Sequence, residues 1–423
     1  MNTAVIGAGY VGLVHAAGLA ALGHRVRVGE RDERRIQMLS AGEVPIFEPD
    51  LDRLISEGMA NGLLSFHQSN PESVTDAEVV FIALPTPPAG DGSADTSIIE
   101  TVVAEIGPHL TDGALVVMKS TVPVGSASRF QSALDETGAT ATVLSNPEFL
   151  REGSAVVDFF HPDRIVIGTG DKPAALKMID LYLKLDAPVV VTDPISSEMI
   201  KYGANAYLAS RITFANAMAN LCEAVGADAK DVLHGMGYDR RIGFHFFNPG
   251  PGYGGSCFPK DTRALVAIAD EAGYDFALLK GVINVNEEQT TRVVNKVEAA
   301  VGGDLSGKVV GLWGLAFKAE TDDIRESPAV ALAALLAARG ATIQAYDPKV
   351  GAEIDGVTRT ADALGAAKGA DVLLIATEWN EFKTVDLREV RSALEGDCIV
   401  DARNILDPDA VRRLGLRYHG IGR

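Results

Sequence analysis

Short apolar runs and helical apolar stripes succeed one another along this chain, and their order predicts most of its elements. Thr3-Ala4-Val5-Ile6 reads as a buried strand, and the helical pattern that follows closes on Gly23. Arg25-Val26-Arg27-Val28 reads as a second strand. Further strand-like runs lie at 79–84, 114–119, 142–145, 164–167 and 189–191, with helical patterns between several of them. That alternation is the signature of a parallel sheet covered by helices. At Asp193-Pro194 the pattern changes, because proline suits a first helical position. A mostly apolar helix is predicted from there to Val225, where Gly226 stops it. Such a helix spans roughly 45 Å, longer than one compact domain requires. We read it as a connecting spine. Its small-residue face (Ala204, Ala215, Ala219) is the expected dimer contact, with packing inside the chain as the alternative. A second alternation begins at Lys308, with strands at 309–314, 343–346, 372–376 and 399–401 and a helix over 329–339 ending at Gly340.

Composition narrows the picture. The chain has 423 residues, too many for one ordinary core. With 38 Lys plus Arg against 57 Asp plus Glu, its net charge is −19, which disfavours a nucleic acid polymer or an anionic membrane as partner. Small anionic ligands remain open, since helix N-termini and a few local cations can hold them. Met1 to Gly23 contains no Asp, Glu, Lys or Arg and could pass for a membrane signal. No basic segment precedes it, however, and glycines recur at 7, 9, 12, 18 and 23. Three cysteines cannot form a disulfide framework, so a cytoplasmic location is expected.

The first strand runs into Gly7-Ala8-Gly9-Tyr10-Val11-Gly12, and Glu30 lies just past the second strand. Strand, GxGxxG, helix, strand and acidic residue in that order form a dinucleotide-binding fingerprint. Gly7 permits the tight turn, Gly9 the approach of a pyrophosphate and Gly12 close helix packing. Glu30 can accept both ribose hydroxyls and would repel a 2′-phosphate, favouring NAD. The fold class is therefore α/β, with two Rossmann-like doubly wound domains joined by a long central helix and a helical dimerisation region. The expected divisions are 1–193, 194–303 and 304–423, the last without a GxGxxG.

The richest stretch chemically is Gly254-Gly255-Ser256-Cys257-Phe258-Pro259-Lys260-Asp261. Pro259 fits the first turn of a helix through Ala272, placing Cys257 at its N-terminus, where the helix dipole and Lys260 would favour a thiolate. Gly252, Gly254 and Gly255 would let a ligand reach the backbone. Cys222 and Cys398 read as inert buried thiols. Lys201 and Asn205 share one helix face and could donate to a developing oxyanion; a polar pair of no consequence is the alternative. Ser120-Thr121-Val122-Pro123 and Asn146-Pro147-Glu148 bring hydroxyls and a carboxylate to strand ends. None of the 8 histidines has metal-ligand spacing, so no metal is expected.

Taken together, these segments resemble the UDP-glucose 6-dehydrogenase family of nucleotide-sugar dehydrogenases, essentially end to end. The likeness includes 7–12, Pro45-Ile46-Phe47-Glu48-Pro49, Thr86-Pro87, 120–123, 146–153, 201–205, Arg241-Ile242-Gly243, 252–261, 314–318, 321–325 and Ser327-Pro328. The resemblance implies a four-electron oxidation of a sugar primary alcohol to a carboxylate with two NAD, through a Cys257 thiohemiacetal and thioester. It implies that Lys201 and Asn205 stabilise the charged oxygen, while Asp261, Thr121 and Glu148 position and activate water. By the same likeness Gly7, Gly9, Tyr10, Val11, Gly12, Glu30, Arg35, Thr86, Thr121, Glu152, Lys260 and Arg325 would contact NAD. The nucleotide sugar would be held by Glu148, Phe149, Leu150, Arg151, Glu152, Lys201, Asn205, Phe246, Phe247, Asn248, Pro249, Gly250, Gly254 and Lys318. Arg241 would reach the sugar from its own or a neighbouring subunit. A homodimer is implied, with the first domain binding NAD and the last the UDP part. Two departures stand out: Ala217 follows Asn216 where the family commonly has Glu, and Glu30 replaces the usual aspartate. GDP-mannose or another nucleotide sugar is an alternative substrate, although Phe258 and Gly252-Tyr253-Gly254 favour UDP-glucose. A non-catalytic NAD-binding regulator and a two-electron hydroxyacid dehydrogenase are further alternatives; Cys257 and Lys201 argue against the first, and Cys257 against the second.

Overall fold

The computed structural model describes residues 1–90 and 92–423. Eight strands make the first sheet: β1 (Asn2–Ile6), β2 (Arg25–Gly29), β3 (Leu64–His67), β4 (Val79–Ile82), β5 (Leu115–Met118), β6 (Thr142–Ser145), β7 (Ile165–Gly168) and β8 (Val189–Thr192). Their order is β3-β2-β1-β4-β5-β6-β7-β8. Alternate residues of β1, β4 and β5 enter different cores. Ala4 and Ile6 of β1 join Val80, Ile82 and Val116 on one face, whereas Val5 joins Val28, Phe81 and Val117 on the other. Burial on both faces is why β1, β4 and β5 read as continuous apolar runs.

The expectation of an all-parallel sheet needs one correction. β6 and β7 meet antiparallel through a single pair, Ser145 with Gly168, while β7 and β8 are parallel to each other. The strand-pair β7–β8 thus runs against the other six. β3, missed in the sequence, is four residues long with only Leu64 fully buried, too little apolar signal to read.

Six strands form the second sheet: β9 (Val309–Trp313), β10 (Thr342–Tyr346), β11 (Val357–Arg359), β12 (Val372–Ile375), β13 (Cys398–Asp401) and β14 (Arg417–Gly420). Their order is β11-β10-β9-β12-β13-β14, all parallel. The edge strands β11 and β14 are short and partly polar, and the sequence pattern did not show them.

Between the sheets in sequence lies the long helix, Pro194–Val225. Gly226 ends it at φ +78°, a left-handed conformation that glycine adopts without steric cost. The chain divides into two compact units, residues 1–204 with 263–274 and residues 205–262 with 275–423. The long helix therefore begins in one unit and ends in the other. Ala215 and Ala219, expected at a dimer contact, are fully buried within the second unit. They pack intramolecularly, and a Cβ on Gly422 would lie 2.8 Å from that of Ala219. The exposed apolar side chains of this helix are instead Ile195, Met199, Tyr207, Phe214, Leu221 and Val225. Among the described residues no helix is long and apolar enough to cross a membrane.

Candidate active site

The fingerprint loop lies between β1 and the helix Tyr10–Ala21. Gly7 is at φ +103°, and a Cβ on Gly12 would fall 1.9 Å from the Gly7 carbonyl, so both positions require glycine. Gly9 caps the helix with nothing within 4 Å of its missing Cβ. The first helical turn has neither a side-chain cap nor an acidic residue. Free N–H groups beside open space suit a diphosphate, and Tyr10 and Val11 open that helix. Glu30 accepts from the Ala8 N–H at 3.1 Å and from Asp32 N–H at 3.0 Å. Arg35 donates to the Ala8 carbonyl at 3.2 Å. These bonds fix the acidic residue at the end of β2, where a ribose would reach it, and the residues present fit NAD.

Around this loop the same unit gathers other expected cofactor residues. Thr86 donates to the Thr121 carbonyl at 3.0 Å, joining the loops after β4 and β5. Tyr10 hydrogen-bonds Glu48, whose carboxylate also accepts from the Gly153 N–H at 2.7 Å. Glu48 thereby ties the fingerprint helix to the turn carrying Glu152. Lys260 and Arg325 belong to the second unit, where carboxylates engage them: Lys260 with Asp261 and Arg325 with Asp323, each at 2.6 Å.

Two buried hydrogen-bonded pairs bring together expected catalytic residues, one pair in each unit. In the first, Lys201 donates to Glu148 at 2.7 Å. Glu148 also accepts from the Leu150 N–H at 2.6 Å. Burial pushes the Glu148 carboxyl up. The Lys201 charge and hydrogen bond, the Leu150 N–H and the Lys119 charge together outweigh burial and hold it below its ordinary range. Two cations lie over the Phe149 ring, Arg164 at 3.5 Å and Lys201 at 5.4 Å from its centroid. Arg151 pairs with Asp158.

In the second unit, Asn205 donates to Asp261 at 2.6 Å. Lys260 donates to the other oxygen of that carboxylate at 2.6 Å. The Lys260 charge, expected beside Cys257, is hydrogen-bonded to the neighbouring Asp261 carboxylate. Cys257 immediately precedes the helix Phe258–Glu271, as expected, and its carbonyl accepts from the Asp261 N–H at 2.8 Å. Cys222 and Cys398 are buried, and burial pushes the Cys398 thiol up to about 11.

The glycines before Cys257 admit a close approach by this chain's own backbone and side chains. A Cβ on Gly254 would lie 2.2 Å from the Glu326 carbonyl, and one on Gly255, at φ +81°, would lie 2.8 Å from the Phe317 ring. The close approach is made by this chain's own 317–326 segment. Polar side chains that the sequence reading missed hold the same loop. Asn286 bonds both the N–H and carbonyl of Tyr253, at 2.8 and 3.2 Å. Asn216 and Gln289 do the same for Gly250, at 2.7 and 2.9 Å. All three sit on helices with ordinary polar spacing, so only the fold singles them out. Asn216 thus has a structural task, whereas Ala217 is exposed and takes no part in it.

Loop 242–247 is anchored by Arg211, which donates to the carbonyls of Ile242, Gly243 and His245. Its guanidinium lies 5.2 Å from the Phe247 ring centroid. Phe246 adopts φ +56° and Phe247 is buried, with Asn248 and Pro249 following. Arg241 pairs with Asp239, its side chain 88% exposed. Lys318 lies beside the Phe317 ring.

Comparison with known proteins covers nearly the whole chain. The models of the UDP-glucose/GDP-mannose dehydrogenase family match as an NAD binding domain over residues 1–186, a central domain over 195–288 and a UDP binding domain over 311–408. The chain is 45% identical over 436 residues to the UDP-glucose 6-dehydrogenase of Rhizobium meliloti (strain 1021), covering 100% of both. It is 43% identical over 431 residues to that of Bacillus subtilis (strain 168), covering 100% of this chain and 98% of the relative. A solved UDP-glucose dehydrogenase from the hyperthermophilic archaeon Pyrobaculum islandicum superposes with a TM-score of 0.93 at 40% identity, covering 100% of this chain and 97% of that one.

Proposed function

The chain belongs to the UDP-glucose/GDP-mannose dehydrogenase family, and from that premise we propose that it oxidises UDP-glucose to UDP-glucuronate with two NAD. The observation that carries this reading is the polar pairing on successive turns of the long helix. Lys201 meets Glu148, and four residues on Asn205 meets Asp261, on the helix that Cys257 opens.

NAD, when bound, accepts one hydride in each of two oxidations. The protein's part is to hold the sugar and manage oxygen, sulfur and protons. The primary alcohol loses a hydride and its hydroxyl proton to give an aldehyde. The Cys257 sulfur then adds to that carbonyl, and Lys201 and Asn205 donate to the oxygen that gains charge. Covalent attachment keeps the aldehyde from escaping between oxidations. Loss of a second hydride and a proton converts the thiohemiacetal to a thioester. Water, positioned by Thr121 and activated by Glu148 and Asp261, cleaves the C–S bond, giving carboxylate and returning the thiol. Lys260 and Arg325 are further NAD contacts in this reading. Residues 149–152, 246–250, Gly254, Arg241 and Lys318 hold the nucleotide sugar.

The same reading divides the chain into an NAD-binding part (1–193), a central part with Lys201 and Cys257 (194–303) and a UDP-sugar part (304–423). The active form is a cytoplasmic homodimer joined through the exposed apolar face of the long helix. Counting NADH formed per limiting UDP-glucose tests the function: a ratio near two is expected, and a ratio near one removes the thioester route.

A further inference from the structure

Beside the Glu148–Lys201 pair the first unit buries a second amine. Lys119 follows the last residue of β5 and is 7% exposed. Its Nζ donates to Asn146 Oδ1 at 2.9 Å. The Tyr182 hydroxyl donates to the same oxygen at 2.7 Å, and Asn146 Nδ2 donates to the Val166 carbonyl at 2.7 Å. Asn146 stands two residues before Glu148, so the amide that receives the lysine also sets the turn presenting the carboxylate to Lys201.

The groups acting on Lys119 come from each neighbouring element. Glu148, after β6, attracts its charge, and Lys201, on the long helix, repels it. His15, on the first helix, is buried and held neutral, first by burial and then by the Lys119 charge. The Tyr182 ring centroid lies 5.8 Å away. Burial, reinforced by Lys201, pushes Lys119 down to about 7. Two amines thus share one carboxylate in an interior where charges interact strongly.

We propose that Lys119 is a positioning residue for Glu148: through Asn146 it holds the 146–148 turn, and on the acidic side of neutrality its positive charge helps keep the carboxylate ionised for its work on water. The inference rests on the role given to Glu148 above.

The test is the pH dependence of kcat for UDP-glucose oxidation in the wild type, K119M and K119Q. Both substitutions remove the charge, while Gln keeps a donor for Asn146. With the charge gone Glu148 gains proton affinity, so the acidic limb is expected to move to higher pH by about half a unit or more in both variants. KM for either substrate should stay within about threefold, and K119Q should keep more of the plateau rate than K119M. An unmoved limb overturns the proposal, however far kcat falls, since a structural role alone lowers rate without moving it. If neither variant folds, carbon-13 labelling of wild-type lysines decides: a Lys119 signal that responds as Glu148 takes up its proton in the acid range is expected, and a signal that does not respond overturns the proposal. Wild-type protein that oxidises no UDP-glucose counts against the function on which the inference rests; turnover with an unmoved limb counts against this inference alone.

Discussion

Glu148 and Lys201 are 7% and 4% exposed at their side chains, so neither can exchange its partner for water. E148Q would leave the Lys201 ammonium buried without its carboxylate, a loss on the order of 3–5 kcal/mol in unfolding free energy at neutral pH. Urea denaturation checks this. The acid dependence has a definite sign. The carboxyl is held low in the folded chain, so its contribution is present above the ordinary carboxylate value and fades as pH falls through the lower folded value. E148Q should therefore flatten the acid side of the stability curve. Lys119 behaves oppositely. Its amine loses the proton near 7 in the folded chain but holds it to about 10.4 when unfolded, so wild-type stability rises with pH across that window. The stability of K119M relative to wild type should be more favourable at pH 6 than at pH 9, by on the order of 1–3 kcal/mol. A difference of the reverse sign would contradict the burial argument. At the catalytic cysteine of the proposed route, Cys257→Ser should stop before carboxylate is formed; full four-electron turnover by that variant would refute the sulfur's role.

At the scale of elements, the loop before Cys257 depends on two glycines for its path. Gly254→Ala places a methyl group 2.2 Å from the Glu326 carbonyl, and backbone must move to admit it. An expected loss of about 1–3 kcal/mol, read by thermal unfolding, should accompany lower activity, because the displaced loop carries Cys257. Asn216, Asn286 and Gln289 belong to the same element-level device, a set of amides holding one loop by its backbone. The spacing of Lys201 and Asn205 was legible because an i,i+4 relation needs only a helix. Their acidic partners lie 53 and 56 residues away in sequence, and no local pattern pairs them.

For the whole molecule, the long helix poses the question of association. Tyr207 is 62% exposed, Leu221 54% and Val225 69%, all on the helix that the small-residue argument had assigned to a partner through other positions. Leu221→Glu is expected to shift the protein from dimer toward monomer in sedimentation velocity while leaving its circular dichroism unchanged. A wild-type monomer at micromolar concentration would remove the dimer reading. Small residues were a misleading guide because alanines pack closely against neighbours inside the chain as readily as against a second subunit.

The sequence by itself determined the two α/β halves, the extent of the long helix, the dinucleotide fingerprint and Cys257 at a helix start. Each is local: a strand buried on both faces is apolar throughout, a capped helix has readable ends, and a left-handed turn calls for glycine. Only the tertiary structure decided that β7–β8 reverses, that Lys260 answers Asp261, that the glycine loop yields to its own chain, and that Lys119 is buried beside Glu148. Those outcomes turn on groups far apart in sequence, and burial alone sets the strength of their charges and hydrogen bonds.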